Sequence, residues 1–332
     1  MENGQLKSSE AQFDYIHQMC LENFQPVKLP LVLISQIQRS GGSMLSQLFD
    51  GHAEVHAHPH ELKFGYPRKY DWPPIDLADH PERWFEILFE DIVVRHFRHG
   101  YKKMAKYKDT FLFIFLPSLQ KEIFLKHFES AAAVSRRDVF DAYMTSYFGA
   151  WINNQNRLGE KKLISAFTPR LAFSKANMES FFDVYPDGRL ISVVRDPKNW
   201  FPSANRHELD QYGNLKKALE QWNVSARSMV RNKKAFGDRV CIITFEDLIE
   251  HNESVLRHLA DFLDIRFDVT LLTPTFNKIP VKPNTSFKLE SPGIMISALE
   301  RYKALSREEL NTIEEMTGDV YSQVLSSVEL IP

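Results

Sequence analysis

The sequence predicts an α/β fold in which a central parallel sheet is flanked by helices and carries a helical insertion. Three observations lead to this prediction. Short apolar runs recur along the chain, each is followed by a helical pattern, and a long stretch between the first two runs is helical throughout. Since strands that alternate with helices form parallel sheets, helices are expected on both faces of the sheet.

The first strand and helix lie near the start of the chain. Residues 29–37 (LPLVLISQI) form a continuous apolar run, which is typical of a strand buried on both faces. A glycine-containing turn over 38–43 and an amphipathic helical pattern follow, and this order opens a βαβ unit. Residues 1–27 are a polar lead-in with one short helix predicted around 12–21.

The stretch 72–158 has the pattern of long helices. Asp79 and Pro81 are predicted to form the cap and first turn of one helix. Ser135 and Asp138 resemble a capping box before the next helix. We therefore expect 72–158 to be a helical insertion at one edge of the sheet.

Three later runs predict further strands, at 162–167 (KLISAF), 189–194 (RLISVV) and 239–245 (RVCIITF). The helical pattern that follows each run is clearest over 246–263. A C-terminal loop and helices are expected over 270–332. Because no repeat or low-complexity linker divides the chain, a single domain is predicted over all 332 residues.

Composition excludes several classes of protein. The chain has 41 Lys and Arg against 43 Asp and Glu, a formal net charge of −2, whereas nucleic-acid binders are usually basic. The most apolar run, 111–116, is too short to span a bilayer, and the N-terminus has no secretory signal. Cys20 and Cys241 are too few for a disulfide framework or a zinc cluster. A soluble cytoplasmic protein without a nucleic-acid partner is expected.

Ligands of open parallel sheets bind beyond the carboxyl ends of the strands. The first loop in that position is 38–44 (QRSGGSM). Its glycines allow backbone N–H groups to approach an anion at a helix N-terminus, and serine hydroxyls and Arg39 would complete the cradle. A plain tight turn into a helix is the alternative interpretation.

This loop differs from the phosphate-binding loop of nucleotide kinases. Aligning Gly41-Gly42-Ser43 on the end of that motif puts Gln36 in place of its first glycine and Gly42 in place of its lysine. Without the lysine, the loop suits an anion that needs less neutralisation than a terminal phosphate with Mg²⁺.

The second loop, 195–203 (RDPKNWFPS), follows the strand at 189–194. Arg195 at the end of that strand can make bidentate contacts with a phosphate. Pro197 is predicted to begin a turn or helix that brings Ser203 to the same place. The alternative is an ordinary strand exit with a surface Arg–Asp pair.

Together these motifs resemble the 3′-phosphoadenosine 5′-phosphosulfate (PAPS)-dependent sulfotransferases, which have a P-loop-like fold. A strand ending in R-S-G-G-S is followed later by a strand ending in R-D-P-x-x-W-x-x-S. The helical segment around Trp222 and the strand–E-D-L–helix segment are also similar to the family. The resemblance covers about residues 29–265, and the helical insertion matches poorly.

The resemblance implies a nucleotide-binding role for three segments. The loop after the first strand would cradle the 5′-phosphosulfate through Arg39, Ser40, Gly41, Gly42, Ser43 and Met44. Arg195 and Ser203 would hold the 3′-phosphate that distinguishes PAPS from ATP. A C-terminal loop containing Asn284, Ser286 and Lys288 is similar to a loop that some members fold over the nucleotide, and a solvated loop is an equal alternative.

An acceptor hydroxyl must lose its proton during transfer, so a general base is required. The family places this base, a Glu or a His, after the first helix, where the sequence reads HAHPHEL over 56–62. Glu61 is the favoured base, and His58 and His60, which titrate near neutrality, are the alternatives. Histidines at 56, 58 and 60 on one face of a strand could bind adventitious zinc, but no functional metal site is expected.

The predicted function is therefore transfer of a sulfuryl group from PAPS to a hydroxyl acceptor. Arg39, hydroxyls and backbone donors would stabilise the transition state, with no metal expected. The acceptor could be a small molecule, a lipid, a glycan or a carrier-bound group. The basic run 95–108 could recruit an anionic acceptor, an acyl carrier protein or a membrane surface, although a solvated helix face is favoured. A P-loop kinase-like phosphotransferase and a non-catalytic nucleotide- or glycan-binding member of the fold are the alternatives.

Overall fold

The sheet in the computed structural model has five parallel strands. They are β1 (Leu31–Ile34), β2 (Val55–Glu61), β3 (Leu163–Phe167), β4 (Arg189–Val194) and β5 (Val240–Thr244). Their order across the sheet is β2-β3-β1-β4-β5. The predicted parallel α/β architecture is thereby confirmed, with β2 as a strand that the apolar runs did not predict.

The structure describes residues 9–66, 71–99, 112–129, 133–281 and 296–329. These fall into two compact units. The first unit lies within 1–28, 64–67 and 73–154, and the second lies within 29–63, 68–72 and 155–332. The N-terminal lead-in thus belongs to the same unit as most of the predicted insertion.

Strand β1 lies at the centre of the sheet in the second unit. Leu33 is opposite Ala166 of β3 on one side and Leu190 of β4 on the other. Every residue of β1, β3 and β5 is buried. Continuous burial explains why these strands read as unbroken apolar runs, since helices cover parallel sheets on both faces.

Strand β2 forms one edge of the sheet, where β3 is its one partner among the described residues. Its register shifts between Ala57 and Glu61, and Pro59 lies inside the shifted segment. Proline is tolerated at such edge positions because the missing N–H is not needed for a second ladder. Because β2 contains histidines and a proline, it does not appear in the sequence as an apolar run.

Helices of the second unit cover the sheet and lead away from its strands. They are α2 (Gly42–Phe49), α7 (Lys175–Val184), α8 (Pro197–His207), α9 (Leu209–Tyr212), α10 (Leu215–Phe236), α11 (Phe245–Glu250), α12 (Asn252–Leu263) and α13 (Arg307–Leu325). A 3₁₀ helix spans Ile296–Ala304, and a small hairpin pairs β6 (Thr275–Phe276) with β7 (Ile279–Pro280). Apolar side chains of α2, α11 and α12 pack with those of the sheet in one buried cluster.

The first unit is helical. Its described helices are α1 (Ser9–Glu22), α3 (Pro81–Leu88), α4 (Ile92–His99), α5 (Pro117–Lys126) and α6 (Arg136–Ala150). The capping box at Ser135 and Asp138 is confirmed, with both of its reciprocal hydrogen bonds present. No helix in the described part of the chain is long and apolar enough to cross a membrane.

Two details of the predicted helices were wrong. The N-cap of α3 is His80 rather than Asp79, whose backbone N–H donates to the Asp76 carbonyl 3.1 Å away. The continuous pattern over 246–263 is two helices, because His251 leaves the helical conformation at φ −123° between α11 and α12. Apolar periodicity continues through this break, so the sequence pattern did not reveal the end of α11.

Candidate active site

A cleft of about 820 Å³, partly open to solvent, lies at the carboxyl ends of the strands in the second unit. Its walls come from the loop after β1 and the start of α2, the ends of β2 and β3, the segments that follow β4 and β5, and the 3₁₀ helix over Ile296–Ala304. The lining residues are Gln38, Arg39, Gly41, Gly42, Ser43, Met44, Glu61, Phe167, Arg195, Ser203, His207, Glu208, Phe245, Ile249, Ala298 and Arg301. This is the position in which ligands of open parallel sheets bind.

The loop after β1 turns sharply into α2. Gly41 has a φ of 95°, which a residue with a side chain rarely adopts. A Cβ added to Gly42 would lie 2.0 Å from the Gln36 side chain and 2.4 Å from the Phe167 ring. Glycine at both positions therefore allows α2 to begin against the sheet, with its N-terminal N–H groups at the cleft.

Arg39 connects the two loops that the sequence singled out. Its Nε donates to Oγ of Ser203 at 3.3 Å, and its carbonyl oxygen accepts from Nη1 of Arg195 at 2.9 Å. Burial lowers the pKa of Arg39, and the carboxylate of Glu208 opposes this shift. The half-buried guanidinium is still cationic at neutral pH, so the cleft carries a partly desolvated positive charge.

Several contacts fix the position of Arg195. Its Nη2 donates to the Ala298 carbonyl at 2.7 Å, its guanidinium lies 4.2 Å from the centre of the Phe245 ring, and its own carbonyl accepts from the Trp222 indole at 3.1 Å. Its Nε is buried and has no hydrogen-bond partner among the described residues. Burial lowers the pKa of Arg195, and repulsion by Arg301 adds to the shift.

Arg301 completes a group of cations around the cleft. The backbone N–H of the next residue, Tyr302, donates to the Asn199 side chain of α8 at 3.1 Å and fixes the 3₁₀ helix there. Burial lowers the pKa of Arg301 first, and the charges of Arg39 and Arg206 lower it further. Cations that repel one another in a partly desolvated cleft are stabilised when an anion binds among them.

Carboxylates near the arginines only partly offset their charge. Glu246 accepts a hydrogen bond from the Asp196 N–H at 3.2 Å, and burial raises the pKa of Glu246 to about 7. Burial also raises the pKa of Asp196. Among the lining residues, Glu61 and Glu208 stand against Arg39, Arg195 and Arg301, so the cleft keeps an excess of positive charge.

The donor set of the cleft fits a ligand with several phosphate-like groups. Ser40 is 1% exposed, and its Oγ has no hydrogen-bond partner among the described residues. Together with Nε of Arg195 it forms a pair of buried donors whose hydrogen bonds the described residues do not satisfy. Buried polar groups of this kind are normally satisfied, and oxygens of a bound anion can satisfy them.

Glu61 brings a carboxylate to the same cleft from the end of β2. Its Oε2 lies 2.9 Å from Nζ of Lys63, and its side chain is 37% exposed. His58 and His60 do not line the cleft. Their Nδ1 atoms lie 2.9 Å from the carbonyl oxygens of His60 and Glu61, so each Nδ1 must carry the proton of that hydrogen bond.

Most of the residues predicted for the site meet in this cleft. Arg39, Gly41, Gly42, Ser43, Met44, Glu61, Arg195 and Ser203 line it, whereas Ser40 is buried within the loop. Asn284, Ser286 and Lys288 lie outside the described residues, as do positions 100–108 of the basic run.

Sequence reasoning missed Arg301, Glu208 and Phe245. Phe245 immediately follows β5, so the rule that ligands bind at the carboxyl ends of strands could have found it. Arg301 carries no such signal, because it lies in a 3₁₀ helix far along the chain from any motif of the cleft.

Known proteins resemble this chain in sequence and in fold. Residues 30–269 match the sequence profile described as the sulfotransferase family. The chain is 23% identical over 95 residues to protein-tyrosine sulfotransferase A of Caenorhabditis elegans, and the match covers 27% of this chain and 25% of that relative.

Two solved structures share the fold. A sulfotransferase domain from the olefin synthase of Synechococcus PCC 7002 is 18% identical with a TM-score of 0.51, and the alignment covers 93% of this chain and 100% of that domain. A sulfotransferase domain from the curacin biosynthetic pathway is also 18% identical, with a TM-score of 0.52 and coverage of 91% and 99%.

Proposed function

Because this chain belongs to the sulfotransferase family, we propose that it transfers a sulfuryl group from PAPS to a hydroxyl acceptor, with Glu61 as the general base. The observation that carries the proposal is the group of arginines, Arg39, Arg195 and Arg301, which converge on one cleft beside a helix N-terminus and a carboxylate. A nucleotide with phosphate-like groups at both ends would neutralise that charge.

In this proposal, one group of cleft residues binds the phosphosulfate end of PAPS, and a second group binds its 3′-phosphate. Arg39, Ser43 and the N–H groups at the start of α2 would hold the phosphosulfate end. Arg195 and Ser203, which follow β4, would hold the 3′-phosphate. Nε of Arg39 lies 3.3 Å from Oγ of Ser203, so the Arg39 guanidinium lies beside the second group.

PAPS supplies an activated sulfuryl group whose bond to the 5′-phosphate breaks as the acceptor oxygen forms a new bond to sulfur in line with it. Glu61 would take the proton that the acceptor hydroxyl loses. Lys63 would hold the Glu61 carboxylate through the 2.9 Å contact. Arg39 and the backbone donors would stabilise the charge that develops on the departing phosphate. Because these cations and dipoles already surround the reacting group, the proposal needs no metal ion.

The acceptor class is proposed only as a hydroxyl compound. The tyrosine in the name of the Caenorhabditis elegans relative makes a phenolic hydroxyl one acceptor to test. Phe167, Phe245 and Ile249 give the cleft apolar walls, which suit an acceptor with an apolar body.

Binding of three nucleotides tests the donor. Calorimetric titration with 3′,5′-adenosine bisphosphate, 5′-AMP and ATP with Mg²⁺ is expected to give the tightest binding for the bisphosphate. Tighter binding of ATP with Mg²⁺ would contradict the proposal and favour a kinase-like phosphotransferase.

Turnover tests the reaction itself. Transfer of label from radiolabelled PAPS to a panel of phenols, alcohols and glycosides is expected for at least one acceptor, and Glu61→Gln should slow it strongly. Tight binding of the bisphosphate with no transfer to any acceptor would instead support a non-catalytic nucleotide-binding member of the fold.

A further inference from the structure

Away from the cleft, a thiol, an imidazole and a carboxylate converge at the β5 edge of the sheet. Cys241 lies in β5, His258 lies in α12, and Glu329 follows α13. Sγ of Cys241 is 3.6 Å from Nε2 of His258, and that nitrogen is 2.9 Å from Oε2 of Glu329. The three atoms all lie within 4.8 Å of one another.

The separation of the sulfur and the imidazole nitrogen suits one tetrahedral metal ion, whereas the 2.9 Å contact between His258 and Glu329 is an ion pair that the metal would have to open by a few tenths of an ångström. Zinc binds thiolate sulfur at about 2.3 Å and imidazole nitrogen at about 2.0–2.1 Å, so two such ligands at a tetrahedral angle lie about 3.5 Å apart. The distance of 3.6 Å between Sγ of Cys241 and Nε2 of His258 agrees with that value. Thiolate, imidazole and carboxylate are also the ligand types that zinc takes in proteins.

The surroundings of the three side chains allow an ion to enter and orient its ligands. Cys241 is fully buried, whereas the side chains of His258 and Glu329 are 22% and 29% exposed. Lys233 donates to the other carboxylate oxygen of Glu329 at 2.6 Å and to the Val240 carbonyl at 2.8 Å. This contact holds Oε2 toward the histidine, as outer partners of metal ligands commonly do.

We propose that Cys241, His258 and Glu329 bind a zinc ion, with water in the fourth position. On binding, the thiol proton of Cys241 is released to solvent as the sulfur–zinc bond forms, and His258 binds as a neutral imidazole through Nε2. The site is separate from the proposed sulfuryl transfer and does not depend on it.

A metal ion here would join the end of the chain to the sheet. The backbone N–H of Glu329 already lies 3.4 Å from the Ile242 carbonyl of β5. Bonds from one ion to β5, α12 and the segment after α13 would crosslink three elements, of which the last lies far along the chain from the other two. No spacing motif connects the three ligands, which explains why the sequence predicts no metal site.

The test uses the untagged full-length chain, freed of metal with a chelator and titrated with Co²⁺. We expect one Co²⁺ per chain, with the near-ultraviolet charge-transfer band of a thiolate ligand and the intense visible absorption of tetrahedral cobalt. Zn²⁺ should displace the cobalt and raise the melting temperature. Cys241→Ser should abolish the charge-transfer band, and the matched control Cys20→Ser should retain it.

Variants of the two partly exposed ligands keep the test decisive even if Cys241→Ser fails to fold. Since loss of an outer partner of a metal ligand commonly costs 10-fold to 100-fold in affinity, loss of a ligand in His258→Asn or Glu329→Gln should weaken Co²⁺ binding by at least about tenfold. Circular dichroism would verify that these variants are folded. A wild-type chain without the charge-transfer band, a band that survives Cys241→Ser, or unchanged affinity in both other variants would overturn the proposal.

Discussion

At Arg195 a buried guanidinium is repelled by Arg301 and still has a donor without a protein partner among the described residues. We expect Arg195→Ala to weaken binding of 3′,5′-adenosine bisphosphate by about tenfold to a hundredfold, the equivalent of a charged hydrogen bond of about 1.5–3 kcal/mol. Binding of 5′-AMP should change little, because 5′-AMP has no 3′-phosphate. Calorimetric titration of the folded variant with both nucleotides measures the difference.

Arg189 provides the control for this change. It lies at the other end of β4, where its guanidinium is 5.3 Å from the centre of the Phe262 ring and does not line the cleft. Arg189→Ala should leave both affinities unchanged. Equal losses for bisphosphate and 5′-AMP in Arg195→Ala would mean that Arg195 only supports the Arg39 and Ala298 backbone.

Glu61 is the residue on which the proposed chemistry depends. Glutamine keeps the size of the side chain but cannot accept a full proton, so Glu61→Gln should lower kcat by about 10²–10⁴-fold with little change in nucleotide affinity. Single-turnover rates measure the effect. His58→Asn and His60→Asn, whose parent residues do not line the cleft, should retain turnover. Wild-type rates in Glu61→Gln, or loss in either histidine variant alone, would reassign the base.

Among the elements, the start of α2 leaves no room for an added side chain. In Gly42→Ala the new Cβ would meet the Phe167 ring at 2.4 Å and the Gln36 side chain at 2.0 Å, so these side chains or α2 must shift. We expect a loss of about 1–3 kcal/mol in unfolding free energy and weaker bisphosphate binding. Denaturant titration and calorimetry measure the two effects.

Gly318 in α13 is the matched control for Gly42. A Cβ at Gly318 would meet only the flexible Glu314 carboxylate at 3.0 Å. Alanine is preferred to glycine inside a helix, so Gly318→Ala should leave stability unchanged or raise it by about 0.5–1 kcal/mol. Similar losses in both variants would show that the turn before α2 is not specially constrained.

Strand β2 carries a pH-dependent contribution to stability at His56. Burial, helped by the charge of Lys161, lowers the pKa of His56 from 6.5 to about 3. Between these values the unfolded chain binds a proton at this residue and the folded chain does not. Stability should therefore fall as the pH drops below 6.5, by up to about 1.4 kcal/mol per pH unit from this residue.

His56→Gln should reduce that loss. Urea unfolding at about pH 7 and about pH 5 measures the difference in stability between the two conditions for each protein. The exposed His80 supplies a control, since His80→Gln should leave the difference as in the wild-type chain. If His56→Gln loses as much stability between the two pH values as the wild-type chain does, other groups account for the acid sensitivity.

The elements that the sequence predicted correctly are those whose surroundings impose a local pattern. β1, β3, β4 and β5 are buried, so each reads as an apolar run. β2 does not read as an apolar run because of its histidines and proline, although it is almost wholly buried. The loops after β1 and β4 were predicted to lie where ligands bind because strand ends of a parallel sheet meet at one edge, and the resemblance to sulfotransferases implied that both hold the same nucleotide.

On the scale of the whole molecule, the charged residues of the cleft come from segments that are far apart in the chain. Local sequence patterns could therefore not predict that these residues meet. Arg301 repels Arg39 and Arg206 in the folded protein. Arg301→Gln should therefore raise the melting temperature of the ligand-free protein and weaken bisphosphate binding by about tenfold or more. Differential scanning calorimetry measures the rise in melting temperature, and calorimetric titration measures the loss of bisphosphate affinity.

Arg257→Gln is the matched control, since Arg257 is exposed on α12 and pairs with Glu253 at 2.6 Å. It should change neither the bisphosphate affinity nor, beyond a few tenths of a kcal/mol, the stability. A fall in melting temperature for Arg301→Gln would show that the contacts of Arg301 outweigh the repulsion from its neighbours.

Because β1 and β4 are adjacent in the sheet, the backbone fixes the distance between the two loops that follow them. Ile34 is paired with Ile191, and the Ser35 N–H donates to the Ile191 carbonyl at 3.0 Å, so the two loops emerge from strands held about 4.8 Å apart. A side-chain substitution can change how tightly either loop binds, but it cannot change this spacing. In the proposed reaction, substitutions in these loops can therefore change the acceptor or the affinity for PAPS more readily than the separation of the two ends of PAPS.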